Sequence, residues 1–157
     1  AKASKVNIID VVETVKILAD AVAHRHGIEL VQVEHEPVYA WADSSQVRQI
    51  VMNLVMNAIQ AMEGIGGRVT IRTKQQGLAV YVSVSDNGPG VSADHLSHLT
   101  EPFFTTKTNG TGLGLAICRQ LAQANHGNLR FQSVSGEGLK VTLKLPLYLN
   151  NENQGSV

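Results

Sequence analysis

The chain has 157 residues and a mass of 16.9 kDa, room for one domain with a real core and not for two. Hydrophobic residues at 43% and charged residues at 17% exclude a disordered segment, and thirteen basic against thirteen acidic side chains cancel to +0, so no global field draws the chain to nucleic acid or an anionic membrane. The longest apolar run, around 50–59, is broken by Asn53 and Asn57, which excludes a membrane span or signal peptide, and a single cysteine, Cys118, excludes an intrachain disulfide and a thiolate cluster and favours the cytoplasm.

Asn7 with Asp10 three residues later resembles a capping box, and Ile8, Val11, Val12, Val15, Leu18, Ala19 and Val22 follow at helical spacing. This predicts a first helix reaching about His26 and stopped by Gly27. Residues 28–33 and 38–41 are β-prone runs parted by Pro37 and predict two strands. Asp43 with Gln46 gives a second capping signal, after which Val47, Ile50, Val51, Leu54, Val55, Ala58 and Met62 mark one face of a helix closed by Gly64, Gly66 and Gly67. Val69 and Ile71, then Val80, Val82 and Val84 beyond a turn at Gln76 and Gly77, alternate at period two and predict an antiparallel hairpin.

Residues 86–114 are rich in glycine, proline and threonine and long for a connection inside a compact domain; such stretches are functional or disordered. A third helix is predicted from near Leu113 through Ile117 and Leu121 to His126 and Gly127, then a hairpin of 129–134 and 139–145 around Gly136 and Gly138, ending at Pro146. Residues 1–149 are expected to form the domain and 150–157, without apolar period, a flexible tail. The expected fold class is α/β, a two-layer sandwich whose mixed, mostly antiparallel sheet is covered on one face by three helices.

Asp86 continues the inward series Val80, Val82, Val84, so a carboxylate is aimed at the buried face just where the chain leaves the sheet. A buried charge costs several kcal/mol unless it finds a partner. Gly88 and Gly90, flanking Pro89, strip side chains from the backbone beside it. Such an acid can read a flat, donor-bearing ligand such as adenine, whose exocyclic amine donates where guanine presents an acceptor. Taken alone, Asp86 equally fits the start of an Asx turn.

Asn53 and Asn57 lie four apart at the border of the apolar face of the second helix. Asn is a mediocre helix former, and an amide oxygen suits a hard cation such as Mg²⁺, although isolated helical Asn residues more often bond locally or face water. Gly110, Gly112 and Gly114 alternate with Thr111 and Leu113 where a helix opens, offering bare N–H groups and the positive end of the helix to a phosphate. Neither a Rossmann nor a P-loop fingerprint is present. Upstream, Phe103, Phe104 and Lys107 supply two aromatics and a cation of the kind that anchors a mobile lid.

In order and spacing, these elements resemble the catalytic and ATP-binding domain of bacterial sensor histidine kinases, in the GHKL superfamily with its Bergerat fold. Residues 53–61 (NLVMNAIQA) resemble the N box, 86–90 (DNGPG) the G1 box, 101–107 (EPFFTTK) the F box and 110–115 (GTGLGL) the G2 box, over a resemblance covering about 5–146. The FFTTK form is similar to that of nitrogen-regulation and related two-component kinases. The resemblance implies that ATP and Mg²⁺ bind, that Asn57 ligates the metal with Asn53 close by, and that Asp86 accepts the adenine amine beside Gly88 and Gly90. Lys107 and the backbone of Gly110, Thr111, Gly112, Leu113 and Gly114 would hold the phosphate tail. Phe103 and Phe104 would pin the lid, or serve as plain core.

ATP-hydrolysing relatives carry a glutamate one helical turn before the metal-binding Asn; here that position is Asn53, which cannot act as a general base at neutral pH. The resemblance therefore implies a protein-histidine kinase fragment that leaves the γ-phosphoryl for a histidine on a separate dimerisation and phosphotransfer domain, with a response regulator as indirect partner. It implies no nucleic-acid partner, no direct membrane contact, and a monomeric isolated domain in the cytoplasm. Two rival readings stand beside it: a nucleotide-sensing module that binds without transferring, and a serine kinase of the anti-sigma-factor type, which shares the same boxes. Two positions depart from the pattern: Gln60 stands where many members have a basic residue, and Leu139 where a small hydroxyl side chain often supports the adenine-binding acid. His24, His26, His35, His95, His98 and His126 read as surface or capping residues, with His95 and His98 on a short polar helix, so the phosphoacceptor is expected elsewhere. Cys118 is expected to be packed and inert.

Overall fold

A computed structural model describes residues 2–90, 92–99, 114–134 and 138–150. Along them run β1 (Ser4–Asn7), α1 (Ile8–Arg25), β2 (Ile28–Gln32), β3 (Tyr39–Ala42), α2 (Ser44–Ala61), β4 (Gly67–Gln76), β5 (Ala79–Asp86), α3 (Ala93–Leu96), α4 (Gly114–Ala124), β6 (Asn128–Val134) and β7 (Gly138–Pro146). Five strands form the main sheet in the order β2-β4-β5-β7-β6, parallel at β2–β4 and antiparallel at the other three junctions. The α/β class and the mixed sheet expected from the sequence are those observed.

β1 and β3 pair antiparallel in a separate two-stranded sheet. The sequence reading missed β1, because Val6 is the one apolar residue in it and a lone apolar residue carries no period. Two smaller differences concern a turn and a histidine. The turn of the first hairpin falls at Gly77 and Leu78, one residue later than predicted, with Gly77 at φ +59. His95 lies on α3, whereas His98 follows its end.

Both capping signals work through the side chain. Asn7 Oδ1 accepts from the Ile9 N–H at 3.1 Å, and Asp43 Oδ1 accepts from the Gln46 N–H at 3.1 Å. Gly27, at φ +67, ends α1 in the left-handed conformation that glycine adopts without strain.

Period two then sorts the sheet. Val69, Ile71, Val80, Val82, Val84, Val141, Leu143 and Leu145 face one side and are buried. There they meet Val12 and Val15 of α1, Ile50, Val51, Leu54 and Val55 of α2, and Cys118 and Ala122 of α4. Each fully buried Val or Leu is worth about 1.5–3 kcal/mol.

Asn125, just past α4 and only 4% exposed, fixes the layer of helices from inside. Its Oδ1 accepts from the Asp43 N–H, and its Nδ2 donates to Gln46 Oε1 and to the Leu121 carbonyl, each at 2.8 Å. The end of α4 is thereby tied to the start of α2, and the bare beginning of α4 comes to lie beside Asn57, near the other end of α2.

Candidate nucleotide site

Asp86 ends β5 opposite Val69 of β4 and is half-buried. Its Oδ1 accepts two backbone hydrogen bonds, from Gly88 at 2.9 Å and from Leu139 at 3.3 Å. The first is the Asx turn that the sequence allowed, so turn and ligand reader are compatible: the turn occupies Oδ1, and no described donor reaches Oδ2. The second comes from the main chain of Leu139, the position at which the sequence departs from a small hydroxyl side chain.

Two glycines make this slot. A Cβ on Gly88 would lie 3.1 Å from Asp86 Oδ1 and 3.2 Å from Met62 Cγ. One on Gly138, at φ +100, would run into the Asp86 carbonyl oxygen. Asn87 fastens the turn to the start of β4, its Oδ1 accepting from the Arg68 N–H at 2.7 Å and its N–H donating to the Arg68 carbonyl at 3.3 Å.

Behind Asp86 a cavity of about 90 Å³ opens between α2, β5 and β7, walled by Leu54, Ala58, Val84 and Leu139 with Asn57 the other polar group at hand. Asn57 Nδ2 and Oδ1 lie 3.7 and 3.9 Å from where a Gly114 Cβ would stand, so nothing but backbone separates the amide from the start of α4. An apolar slot with a carboxylate at one point and an amide next to a helix start at another fits a base carrying a phosphate tail. Among the described residues no group of three or more His, Cys, Asp and Glu could hold a metal ion. Mg²⁺ at nucleotide sites is commonly held by few protein oxygens together with substrate phosphates, which a single amide fits.

Asn53 does not line this cavity. The Cys118 thiol on α4 donates to the Ile50 carbonyl at 3.9 Å, and burial pushes its pKa up to about 11 while the Asn53 side chain pulls the other way. Cys118 is buried and protonated, in keeping with an inert thiol. Gly90 adopts φ +71 in the loop after Asp86. Phe103, Phe104, Lys107, Gly110, Thr111, Gly112 and Leu113 lie outside the described residues.

Three contributors escaped the sequence reading: the Leu139 N–H, the close approach at Gly138, and Asn125. A main-chain donor leaves no mark on residue type. Gly138 was read as turn punctuation, and Asn125, directly before His126 and Gly127, looks like the end of a helix. An Asn at a helix end with an acid-capped helix elsewhere is too common a pairing to single out.

Among the described residues no helix is long and apolar enough to cross a membrane. A family described as histidine kinase-, DNA gyrase B- and HSP90-like ATPase matches residues 42–149. Sensor histidine kinase ZraS of Escherichia coli O157:H7 is 38% identical over 112 residues, 71% of this chain and 24% of that protein. The catalytic domain of histidine kinase ThkA, nucleotide-free, superposes with a TM-score of 0.83 at 29% identity, over 94% of this chain and 97% of that one. Full-length ShkA in complex with AMPPNP gives 0.82 at 32% identity, over 93% of this chain and 31% of that one. The chain spans about a quarter of the length of the curated relatives it matches. From the family match over most of its length and the sheet-and-helix arrangement it shares with these catalytic domains, the chain belongs to the histidine kinase-, DNA gyrase B- and HSP90-like ATPase family, as an ATP-binding catalytic domain of the sensor histidine kinase type.

Proposed function

We propose that this domain binds Mg-ATP and donates the γ-phosphoryl to a histidine on a separate dimerisation and phosphotransfer domain, from which a response regulator draws it. The observation that carries the reading is the Asp86 carboxylate at the cavity, with Oδ1 held by Gly88 and Leu139 and Oδ2 reached by no described donor. An adenine amine donates to Oδ2, with the base flat against Val84 and Leu139 beside Gly88 and Gly90. Asn57 offers its amide oxygen to Mg²⁺ with Asn53 a turn away. Lys107 and the segment Gly110, Thr111, Gly112, Leu113 and Gly114 hold the phosphates.

In the transfer an imidazole nitrogen of the acceptor attacks the γ-phosphorus in line, the bond to the β–γ bridging oxygen breaks, ADP leaves, and the imidazole's proton passes to a base supplied from outside this chain. This chain contributes position and charge compensation. Asn53 cannot deprotonate a water, so the phosphoryl is kept for the histidine. The domain is proposed to work in the cytoplasm and to be monomeric in isolation; its lone cysteine, buried and protonated, suits a reducing compartment.

Calorimetric titration with a non-hydrolysable ATP analogue tests the site. Binding should tighten with Mg²⁺ and weaken about tenfold or more for a GTP analogue and for Asp86→Asn, since a hydrogen bond to a charged acceptor contributes roughly 1.5–3 kcal/mol. No binding by folded protein at millimolar analogue overturns the site. With a histidine phosphotransfer domain and γ-labelled ATP, an acid-labile label is expected. An acid-stable label points instead to a serine kinase, and intact binding without transfer to a nucleotide-sensing module.

A further inference from the structure

The side of the main sheet that the helices leave open holds a hollow of about 420 Å³, larger than the cavity of about 90 Å³ between α2, β5 and β7 and on the other face. We propose that this open face is a docking surface for an acidic segment of a partner protein.

The register arranges its residues in rows. Arg72, Ser83, Thr142 and Arg130 lie side by side across β4, β5, β7 and β6, and Lys74, Tyr81 and Lys144 form the neighbouring row. Lys140 stands opposite Ser85 on the far side of the first row. The floor is polar: Ser83 is 7% exposed, and Tyr81 and Thr142 are half-buried. Arg72, Lys74, Arg130, Lys140 and Lys144 stand exposed around it.

Glu34 is the acid among the residues around this hollow, and it is engaged. Its Oε1 accepts from the Thr73 N–H at 2.7 Å and its Oε2 lies 3.9 Å from Arg72. The other four cations have no anionic partner among the described residues. The register sets each of these cations opposite a neutral residue, and Arg130, opposite Thr142, stands diagonal to Lys140 and Lys144 with like charge. No pairing among them stabilises the sheet, so folding gives no reason to gather five of a chain's thirteen basic side chains, at net charge +0, on one face. A ligand that supplies several negative charges gives that reason.

Spacing selects the ligand. Strands lie about 4.8 Å apart and same-face rows about 7 Å apart, so Arg72 and Arg130 are separated by roughly 14 Å and one phosphate could not touch them all. Carboxylates along an extended chain repeat at about 3.4–7 Å, which matches. A single-stranded nucleic acid would use aromatic stacking platforms. Here the lining offers Tyr81 alone, half-buried between Lys74 and Lys144.

Amide chemical shifts of the chain, titrated with an oligoglutamate peptide at about 0.15 M salt, test this, with an oligothymidylate of equal charge in parallel. Shifts are expected at Arg72, Ser83, Thr142 and Lys144 and not at Gly88 or Gly114. Lys74→Glu with Lys144→Glu should weaken peptide binding about tenfold or more while ATP-analogue affinity stays unchanged. If charge reversal disturbs the fold by circular dichroism, Lys74→Gln with Lys144→Gln should still weaken it severalfold. The proposal is overturned by an absence of shifts at this salt, by shifts gathered at Asn57 and Gly114, by oligothymidylate binding as tightly as peptide, or by variants that bind like wild type.

Discussion

On the helix-covered face of the main sheet Val82 pairs with Leu143 and Val84 with Val141; one residue along the same strands, on the open face, Ser83 pairs with Thr142 between Arg72 and Arg130. The covered face is chosen by packing, since each side chain there must fill dry space of fixed shape. The open face has no such constraint, so its composition reports interaction. Each face has its exception: Asp86 ends an inward row with a charge, and Ser83 is buried among exposed cations.

The contrast is sharpest for neighbours on β7. Leu143 is 0% exposed, and Leu143→Ala should lower unfolding stability by about 2–5 kcal/mol in urea titration, the lost transfer energy plus the cavity left behind. Thr142→Ala, one residue away, should stay within about 0.5 kcal/mol. Equal losses would break the division into two faces.

Asn125 carries the covered side's polar demand into the layer of helices. Asn125→Ala strands the Asp43 N–H and the Gln46 amide oxygen, so a loss of about 1–3 kcal/mol is expected by the same titration. Because Asn125 ties α4 to α2, affinity for an ATP analogue should fall as well. A variant destabilised but binding as wild type would show that α4 is positioned by its apolar contacts alone.

Asp43 lies at the rim of that layer, and its effect should be smaller and confined to acid. Hydrogen bonds from the Lys2 N–H, then the Ser45 hydroxyl and the Gln46 N–H, lower its pKa from 3.8 to about 2. A depressed carboxyl stabilises the fold above its unfolded pKa, and that contribution is lost as pH falls from about 3.8 through about 2. The thermal midpoint of wild type should therefore drop more steeply over this window than that of Asp43→Ala. Parallel curves would mean that the capping bonds persist in the unfolded chain.

The covered face was legible because packing writes itself into periodicity: Val80, Val82 and Val84 declare a strand and its inner side, and the caps at Asn7 and Asp43 bound the helices within a residue or two. Asp86 was legible as a violation of that period. What escaped was settled by tertiary approach. Leu139 serves through its main chain, Gly138 through the space it leaves, and β1 through pairing with β3. The open face escaped for another reason: Arg72, Lys74, Arg130, Lys140 and Lys144 are scattered along three strands, and only their register brings them together.

That scatter bears on the smallest expected effect. Lys144 lies between Tyr81 and Asn128 with Lys74 one strand beyond Tyr81, and no described acid faces it. If these cations were part of what holds the sheet together, Lys144→Gln would destabilise it. If they are held against their own repulsion, the same change should leave stability within about 0.5 kcal/mol, leaning to a gain. Salt separates the cases, because exposed charges more than about 10 Å apart are screened at 0.1 M and felt at lower ionic strength. A gain for Lys144→Gln that grows as salt is removed would mark a charge kept for a partner, and a loss that grows would mark a structural one.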